Sequence, residues 1–593
     1  MTFSDLVAEL IAAVEEELVA VRESEVARRI PLHGGRSLGQ AGSDWLYAFG
    51  LQYPVTLPDD VPLRLELPGG ETYTGQLIAS TSFEVTLSCN VRLPEKLGSA
   101  TLTLDASFIL EELIARLSDL EEADAELGLA LFGFRSPRAT GTAGELDDPS
   151  ANEFQLEALR AVLERDVSYV WGPPGTGKTT TLALIAEALV RRGLRVLAVA
   201  STNVAVDNAV LKTAERLREP GAVVRFGTPQ LPVLREATPP GPPGRRGSLM
   251  ATMPLPFEDV ILSAAKNPPG AGADPSSPLA SQDGNGVLVV PAKRLPDPKD
   301  ESARQRNLRQ ARIVGATLSR IALNPELAAP GFDAVLLDEA SAAQLPAVFV
   351  AATLARKKVV ALGDPKQLPP VAVSNGPLSR RWLQRDVFAQ AGLDDDDGRA
   401  VLLREQYRMP AAISRLANEL VYGGRLIDAP GLKRVAGGVR LVDTSPEAPH
   451  CEREGGSRLN RVHAELAVEL ASSLLGERAG EPEIAIVTPY RAQARLIWRL
   501  LRDARLDKAI DVGTVHRFQG LERRAIVFDT AESEPHRPAP FVSGSYGSEA
   551  MRLLNVAITR AQEELVIIAN VAYLSRTLPR AATLRGLLEL LTD

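Results

Sequence analysis

The sequence predicts an α/β protein: two tandem units with parallel sheets, preceded by a small β-barrel carried on a helical stalk. Three observations lead there. From Phe154 onward, apolar strands such as "RVLAVAS", "AVLLDEA", "KVVALGD", "IAIVTPY" and "RAIVFDT" alternate with helical stretches, the signature of parallel sheets covered by helices. One of the turns is glycine-rich, "GPPGTGKTT" over Gly172–Thr180, and lies between an apolar run and a helix. The segment before this region has the alternating texture of short antiparallel strands, bracketed by two amphipathic helices.

The first helix places Leu6, Leu10, Val14, Leu18 and Val21 at helical spacing, with Ser4 as its expected N-cap. Asp5, Glu9 and Glu15 to Glu17 interrupt its apolar face, so it is not a secretory signal. After Arg29 come the runs "WLYAF", "VPLRLEL", "ETYTGQLIAS", "FEVTLS" and "ATLTL", with Pro68-Gly69-Gly70 as a hairpin turn. They predict a compact barrel over about residues 38–104. A second helix follows, with Leu110, Leu113, Leu117 and Leu120 on one face. Residues 1–125 thus form the stalk and barrel, 126–395 the first α/β unit and 396–593 the second. Within the first, about 228–300 is a Pro/Gly/Ser-rich insertion expected to be disordered ("TPPGPPGRRG", "NPPGAGADPSSPLASQDGNG").

Composition bounds the class of protein. With 45% hydrophobic and 24% charged residues, the chain has ample material for several cores. Its two cysteines, Cys89 and Cys451, exclude a disulfide framework, a four-cysteine zinc site and a cysteine-held iron–sulfur cluster, and fit a reducing cytoplasm. No run reaches the length of uninterrupted apolar residues that spans a bilayer, so no membrane partner is expected. The net charge of −9 says little about a nucleic-acid partner, because a basic groove is a local feature.

The glycine-rich turn matches G-x-x-x-x-G-K-[ST] in a strand–loop–helix context, which makes Gly172, Pro173, Pro174, Gly175, Thr176, Gly177, Lys178, Thr179 and Thr180 a phosphate cradle for ATP. The glycines let backbone amides approach the phosphates and the helix N-terminus adds a favourable dipole. Lys178 would neutralise the terminal phosphates and the Thr179 hydroxyl would ligate Mg²⁺. "AVLLDEAS" ends a strand in Asp338 and Glu339, at the sheet edge where open α/β folds bind ligands. Asp338 would hold the Mg²⁺ and Glu339 would orient and deprotonate an attacking water. In "VVALGDPKQLPPV", Gln367 follows another strand end and can report the γ-phosphate.

In their order along about residues 151–570, these segments resemble the superfamily 1 helicases of subgroup 1B, of the up-frameshift RNA-surveillance and immunoglobulin-μ-binding type. "NEFQLEAL" is similar to the adenine-reading Q motif, with Gln155 the matching residue. "ASTNVAVDNAV", "IVGATLSRIAL", "LREQYRMPAAISRLANELVYGGRL", "VTPYRAQ", "DVGTVHRFQGLERRAIVFDT" and "LLNVAITRAQEELVIIAN" resemble later motifs. The resemblance implies two RecA-like units and a stalk-and-barrel domain. It implies that Tyr407 stacks on adenine and Glu522 binds the ribose. Arg408 and Arg560 would reach the γ-phosphate from the second unit, and Ser201, Thr202, Asn203, Thr317, Thr488 and Thr514 would touch a nucleic-acid backbone. The chain departs from the family where Pro410 directly follows Met409, in place of the usual histidine, and it lacks the cysteine/histidine-rich domain of the surveillance helicases.

The expected function is ATP-driven movement along single-stranded DNA or RNA by a monomer, with a 5′-to-3′ direction implied by the resemblance. An ATPase that remodels protein–nucleic-acid complexes without separating strands is the alternative. A non-hydrolysing scaffold would need none of Glu339, Gln367, Arg408 and Arg560.

Overall fold

The computed structural model describes residues 1–23, 29–41, 44–51, 60–80, 83–93, 96–104, 106–219, 221–227, 229, 260–262, 308–328, 331–395, 397–432, 438–475 and 483–592. The first helix, α1 (Phe3–Glu23), is capped by Thr2 and not by Ser4: the Thr2 hydroxyl accepts from the Asp5 amide (3.1 Å) and the Asp5 carboxylate accepts from the Thr2 amide (3.0 Å). Six strands then close into a barrel: β1 (Ile30–Ala41), β2 (Asp44–Leu51), β3 (Pro62–Glu66), β4 (Thr72–Ser80), β5 (Glu84–Cys89) and β6 (Lys96–Leu104), in the order β1-β2-β5-β4-β3-β6. The barrel begins earlier than its alternating pattern suggests. Ile30 and Leu32 already point into its core with Tyr47, Phe49, Leu65, Leu87 and Leu102. Both cysteines are buried and unpaired; burial pushes the Cys89 thiol up to about 12.

The second stalk helix, α2 (Ala106–Ser118), packs against α1, and both share one core with the first α/β unit, Leu10 and Leu117 lying in the same cluster as Phe349 and Trp382. The acids of α1 do structural work here. The Glu17 carboxylate, buried, accepts from the amides of Val373 and Ser374 (2.8 Å each), Glu16 accepts from Ser379 N (3.0 Å), and Glu9 accepts from the Trp382 indole (2.9 Å). Glu17→Ala removes two charge-assisted hydrogen bonds and leaves two amides without acceptors, a cost of about 2–4 kcal/mol. Urea unfolding should show it as a lower midpoint at unchanged slope.

The first unit is an eight-stranded sheet. Its strands are β7 (Val167–Trp171), β8 (Val196–Ala200), β9 (Val223–Arg225), β10 (Val260–Leu262), β11 (Ile313–Thr317), β12 (Phe332–Leu337), β13 (Ala355–Gly363) and β14 (Ala400–Leu402), ordered β10-β9-β11-β8-β12-β13-β7-β14. All neighbours are parallel except β10, which runs antiparallel to β9. Most of the predicted insertion lies outside the described residues. The boundary at 395/396 needs correction, because β14 extends the first sheet beside β7. The second unit is a five-stranded parallel sheet, Gly438–Asp443, Ala561–Ala569, Arg523–Asp529, Ile484–Thr488 and Ile510–Thr514 in spatial order. Among the described residues no helix is long and apolar enough to cross a membrane.

Candidate nucleotide site between the two units

Parallel strands put their carboxyl ends on one edge, and β7, β12 and β13 deliver the phosphate loop, Asp338-Glu339 and Asp364-Gln367 there together. The loop runs from the end of β7 into the helix Lys178–Arg191, whose N-cap Gly177 takes φ +80°, ψ +35°, a left-handed conformation that suits glycine. Gly175 is also left-handed at φ +77°. A β-carbon on it would come 2.7 Å from the Arg408 Cβ, so the second unit's leading segment closes on the loop backbone. The Tyr407 amide completes that contact by donating to the Gly175 carbonyl (2.8 Å).

Lys178 Nζ donates to the Gly172 carbonyl (3.0 Å) and sits 3.6 Å from Glu339 Oε1. Glu339 adopts φ +49°, a left-handed backbone that costs a non-glycine residue about 1–3 kcal/mol and aims the side chain off the strand end. Beside it, burial and then the Glu339 charge raise Asp338 well above the usual carboxylate range, against the pull of Lys178. The Asp338 carboxylate and the Thr179 hydroxyl are hard oxygen donors of the kind that suits Mg²⁺, an ion that keeps waters and substrate phosphates among its ligands. Among the described residues no group of three or more His, Cys, Asp or Glu forms a closed metal cage.

The two units meet at Gln367. Its Nε2 donates to Asp364 Oδ2 (2.9 Å) and its Oε1 accepts from Arg560 Nη2 (3.1 Å). Asp364 is held in turn by the Trp171 indole (2.9 Å) and the Tyr422 hydroxyl (2.7 Å), and Asn555 donates to that hydroxyl (2.8 Å) and to the Lys366 carbonyl (2.9 Å). Arg560 is 2% exposed. Burial and then the neighbouring Arg408 lower its pKa to about 10, partly offset by Glu339 and Glu522. Trp171, Tyr422 and Asn555 carry no catalytic signature in the sequence. Only their hydrogen bonds to Asp364, made by Asn555 through the Tyr422 hydroxyl, reveal them.

At the opposite end of the cleft, Gln155 and Asn152 form a reciprocal capping box at the start of helix Glu153–Glu164, and Asn152 Nδ2 donates to the Tyr407 hydroxyl (2.9 Å). Tyr407 is 48% exposed, so the predicted adenine platform has an open face. Glu522, expected at a ribose, forms an ion pair with Arg408 and accepts from Gln562 (2.9 Å). Burial works to raise its pKa, yet the Arg408 guanidinium holds it below the usual range.

The residues expected on a nucleic-acid backbone divide. Ser201 and Thr488 stand at strand ends with hydroxyls that have no partner among the described residues. Thr202 caps the helix Asn203–Leu217, and Thr514 leads a short 3₁₀ turn, Val515–Phe518. Asn203 and Thr317 are fully buried, with side chains engaged by the barrel.

Two family models, each described as an AAA domain, match residues 150–240 with 293–375 and residues 383–572, together more than half of the chain. The chain is 26% identical to an uncharacterized ATP-dependent helicase of Methanocaldococcus jannaschii, over 93% of this chain and 88% of that one. It is 28% identical to the ATP-dependent helicase upf1 of Schizosaccharomyces pombe over 75% of this chain, and 28% identical to the DNA-binding protein SMUBP-2 of Rattus norvegicus over 75%. In those two it spans only 47% and 44% of the relative's length. Among solved structures it is similar to an arterivirus helicase, nonstructural protein 10, at 13% identity and a TM-score of 0.39, over 91% of this chain and 80% of that one. The tandem parallel units, the AAA-domain matches and the relatives agree: this chain belongs to the Upf1-like superfamily 1 helicases, a family of ATP-hydrolysing enzymes.

Proposed function

We propose that the chain hydrolyses ATP between its two RecA-like units and uses the cycle to move 5′-to-3′ along single-stranded DNA or RNA, separating duplexes as it goes. One observation carries this reading: the buried Arg560 of the second unit donates to the phosphate-sensing Gln367 of the first. A sensor hydrogen-bonded to a cation across a domain boundary couples the γ-phosphate to the relative position of the units.

In this scheme the loop amides and Lys178 bind the phosphates, and Tyr407 stacks on the base with Gln155 beside it. Glu339 takes the proton of the attacking water, and Arg560 and Arg408 neutralise charge on the transferring phosphoryl group. Arg408 must first leave Glu522, which makes that pair a holding position for the finger. Thr179 and Asp338 would hold Mg²⁺, which supplies charge neutralisation on the phosphates when bound. Ser201, Thr202, Asn203, Thr317, Thr488 and Thr514 would grip phosphates and not bases, so little sequence preference is expected. The two unpaired cysteines suit a reducing, cytoplasmic setting.

Strand displacement on duplexes with a 5′ or a 3′ single-stranded tail tests the proposal. Unwinding of the 5′-tailed substrate alone is the expected result. ATPase stimulation without displacement would instead establish a remodelling enzyme. Tyr407→Ala should raise KM for ATP about tenfold with kcat little changed, since one base stack contributes about 1–3 kcal/mol. Tyr407→Phe keeps the ring, and steady-state kinetics should find it near wild type.

A further inference from the structure

Asp60 lies at the entrance to β3, with no accessible surface and a left-handed backbone at φ +65°. Its carboxylate gathers donors from the far side of the barrel contact. The Thr317 hydroxyl donates to Oδ2 (2.6 Å), while Arg320 Nη2 (2.9 Å) and Asn203 Nδ2 (3.4 Å) donate to Oδ1. Gln76 and the Ile78 carbonyl, both on β4, take a further bond each from Arg320 (2.6 Å) and Asn203 (3.2 Å). An anionic pair of oxygens receiving a hydroxyl, an amide and a guanidinium has the donor environment of a nucleic-acid phosphate.

We propose that Asp60 stands in for a backbone phosphate, so that the barrel and a single strand compete for Thr317 and Asn203. This rests on the reading that these two residues contact the strand. The competition is intramolecular. The barrel also reaches the second unit, where Phe83 stacks on Trp498 (centroids 4.5 Å apart, planes 11° apart). A strand that takes Thr317 and Asn203 therefore lifts the barrel from the first unit and works against the stack on the second. The barrel is a guard over the strand site, and while it is closed the apparent strand affinity is scaled down by the small fraction of molecules already open.

Asp60→Asn tests this with little disturbance of shape, because Asn tolerates the left-handed backbone and keeps one acceptor oxygen. Anisotropy titrations with labelled oligo-dT and oligo-U should show affinity rising about tenfold, with strand-free ATP turnover unchanged. Phe83→Ala, which loosens the barrel from the second unit without touching Arg320, should shift affinity in the same direction. It decides the matter alone if Asp60→Asn leaves Arg320 too poorly paired to fold. In the wild type, adding oligo-dT should speed amide hydrogen exchange in β3 and β4. Unchanged or weaker binding in the folded variants overturns the guard and makes the barrel a fixed part of the grip. Failure of the wild type to bind either oligomer overturns the proposed function and the guard with it.

Discussion

Arg560→Ala will hydrolyse ATP about 10³-fold more slowly than the wild type while binding the nucleotide nearly as well. In the proposed scheme ground-state affinity comes from the loop amides, Lys178 and the base platform, which Arg560 does not touch. Its hydrogen bonds go to Gln367, to the Thr559 hydroxyl and to the carbonyls of Val556 and Leu521. The position is buried, and its surroundings already lower the arginine's affinity for its proton. The guanidinium is thus held in a site that charges it at some expense, a placement that favours an interaction partner with strong negative charge. Arg560→Lys should rescue poorly, because an ammonium cannot bridge Gln367 and a phosphoryl oxygen as a planar fork does. In both variants the strand should no longer stimulate residual turnover, since the link between units is cut. The measurement is kcat with and without oligo-dT beside the nucleotide Kd. Wild-type turnover in Arg560→Ala would remove the shared site, and the proposed movement with it.

Glu339→Gln is expected to lose about a hundredfold or more in kcat while retaining ATP and strand binding. The amide is nearly the same shape and still orients a water, but it cannot accept the proton. Charge also changes locally: Lys178 loses a carboxylate 3.6 Å away, and Asp338 loses the neighbour that helps hold its proton. The variant should therefore trap ATP and strand together, visible as slowed strand dissociation when ATP is present. Near-normal hydrolysis would assign the base to another residue.

The nucleotide site was legible because its parts are local. A strand, a turn and a helix put Gly172 to Thr179 in register by themselves, and Asp338-Glu339 and Gln367 each follow their own apolar strand. The same locality revealed the barrel and its bracketing helices, but not the barrel's first strand, Ile30–Ala41. What could not be read is what the fold joins across long separations. Asp60 meets Thr317 and Arg320 across 257 and 260 positions, and Glu522 meets Arg408 across 114. No periodicity or spacing encodes such pairs; each member alone looks like an ordinary surface charge or helix cap. The strand Ala400–Leu402 was missed for another reason: three residues are too few for alternation to show, and only β7 beside it reveals its sheet.

The carboxylates of α1 give the stalk a meaning beyond support. Glu17 and Glu16 grip the backbone at Val373, Ser374 and Ser379, on the segment that follows Gln367, and they lie near the C-terminal end of the helix, the end that precedes the barrel in the chain. A strut held at this segment and followed in the chain by the barrel would work as a connecting rod. A shift of the segment after Gln367 during hydrolysis would reach the barrel through the last turns of this helix, from Glu17 to Glu23, without passing through the second unit. Timing of the stroke would then depend on the stiffness of one helix, and a helix-breaking glycine on its exposed face would put the two ends out of step while leaving every residue of the nucleotide site intact.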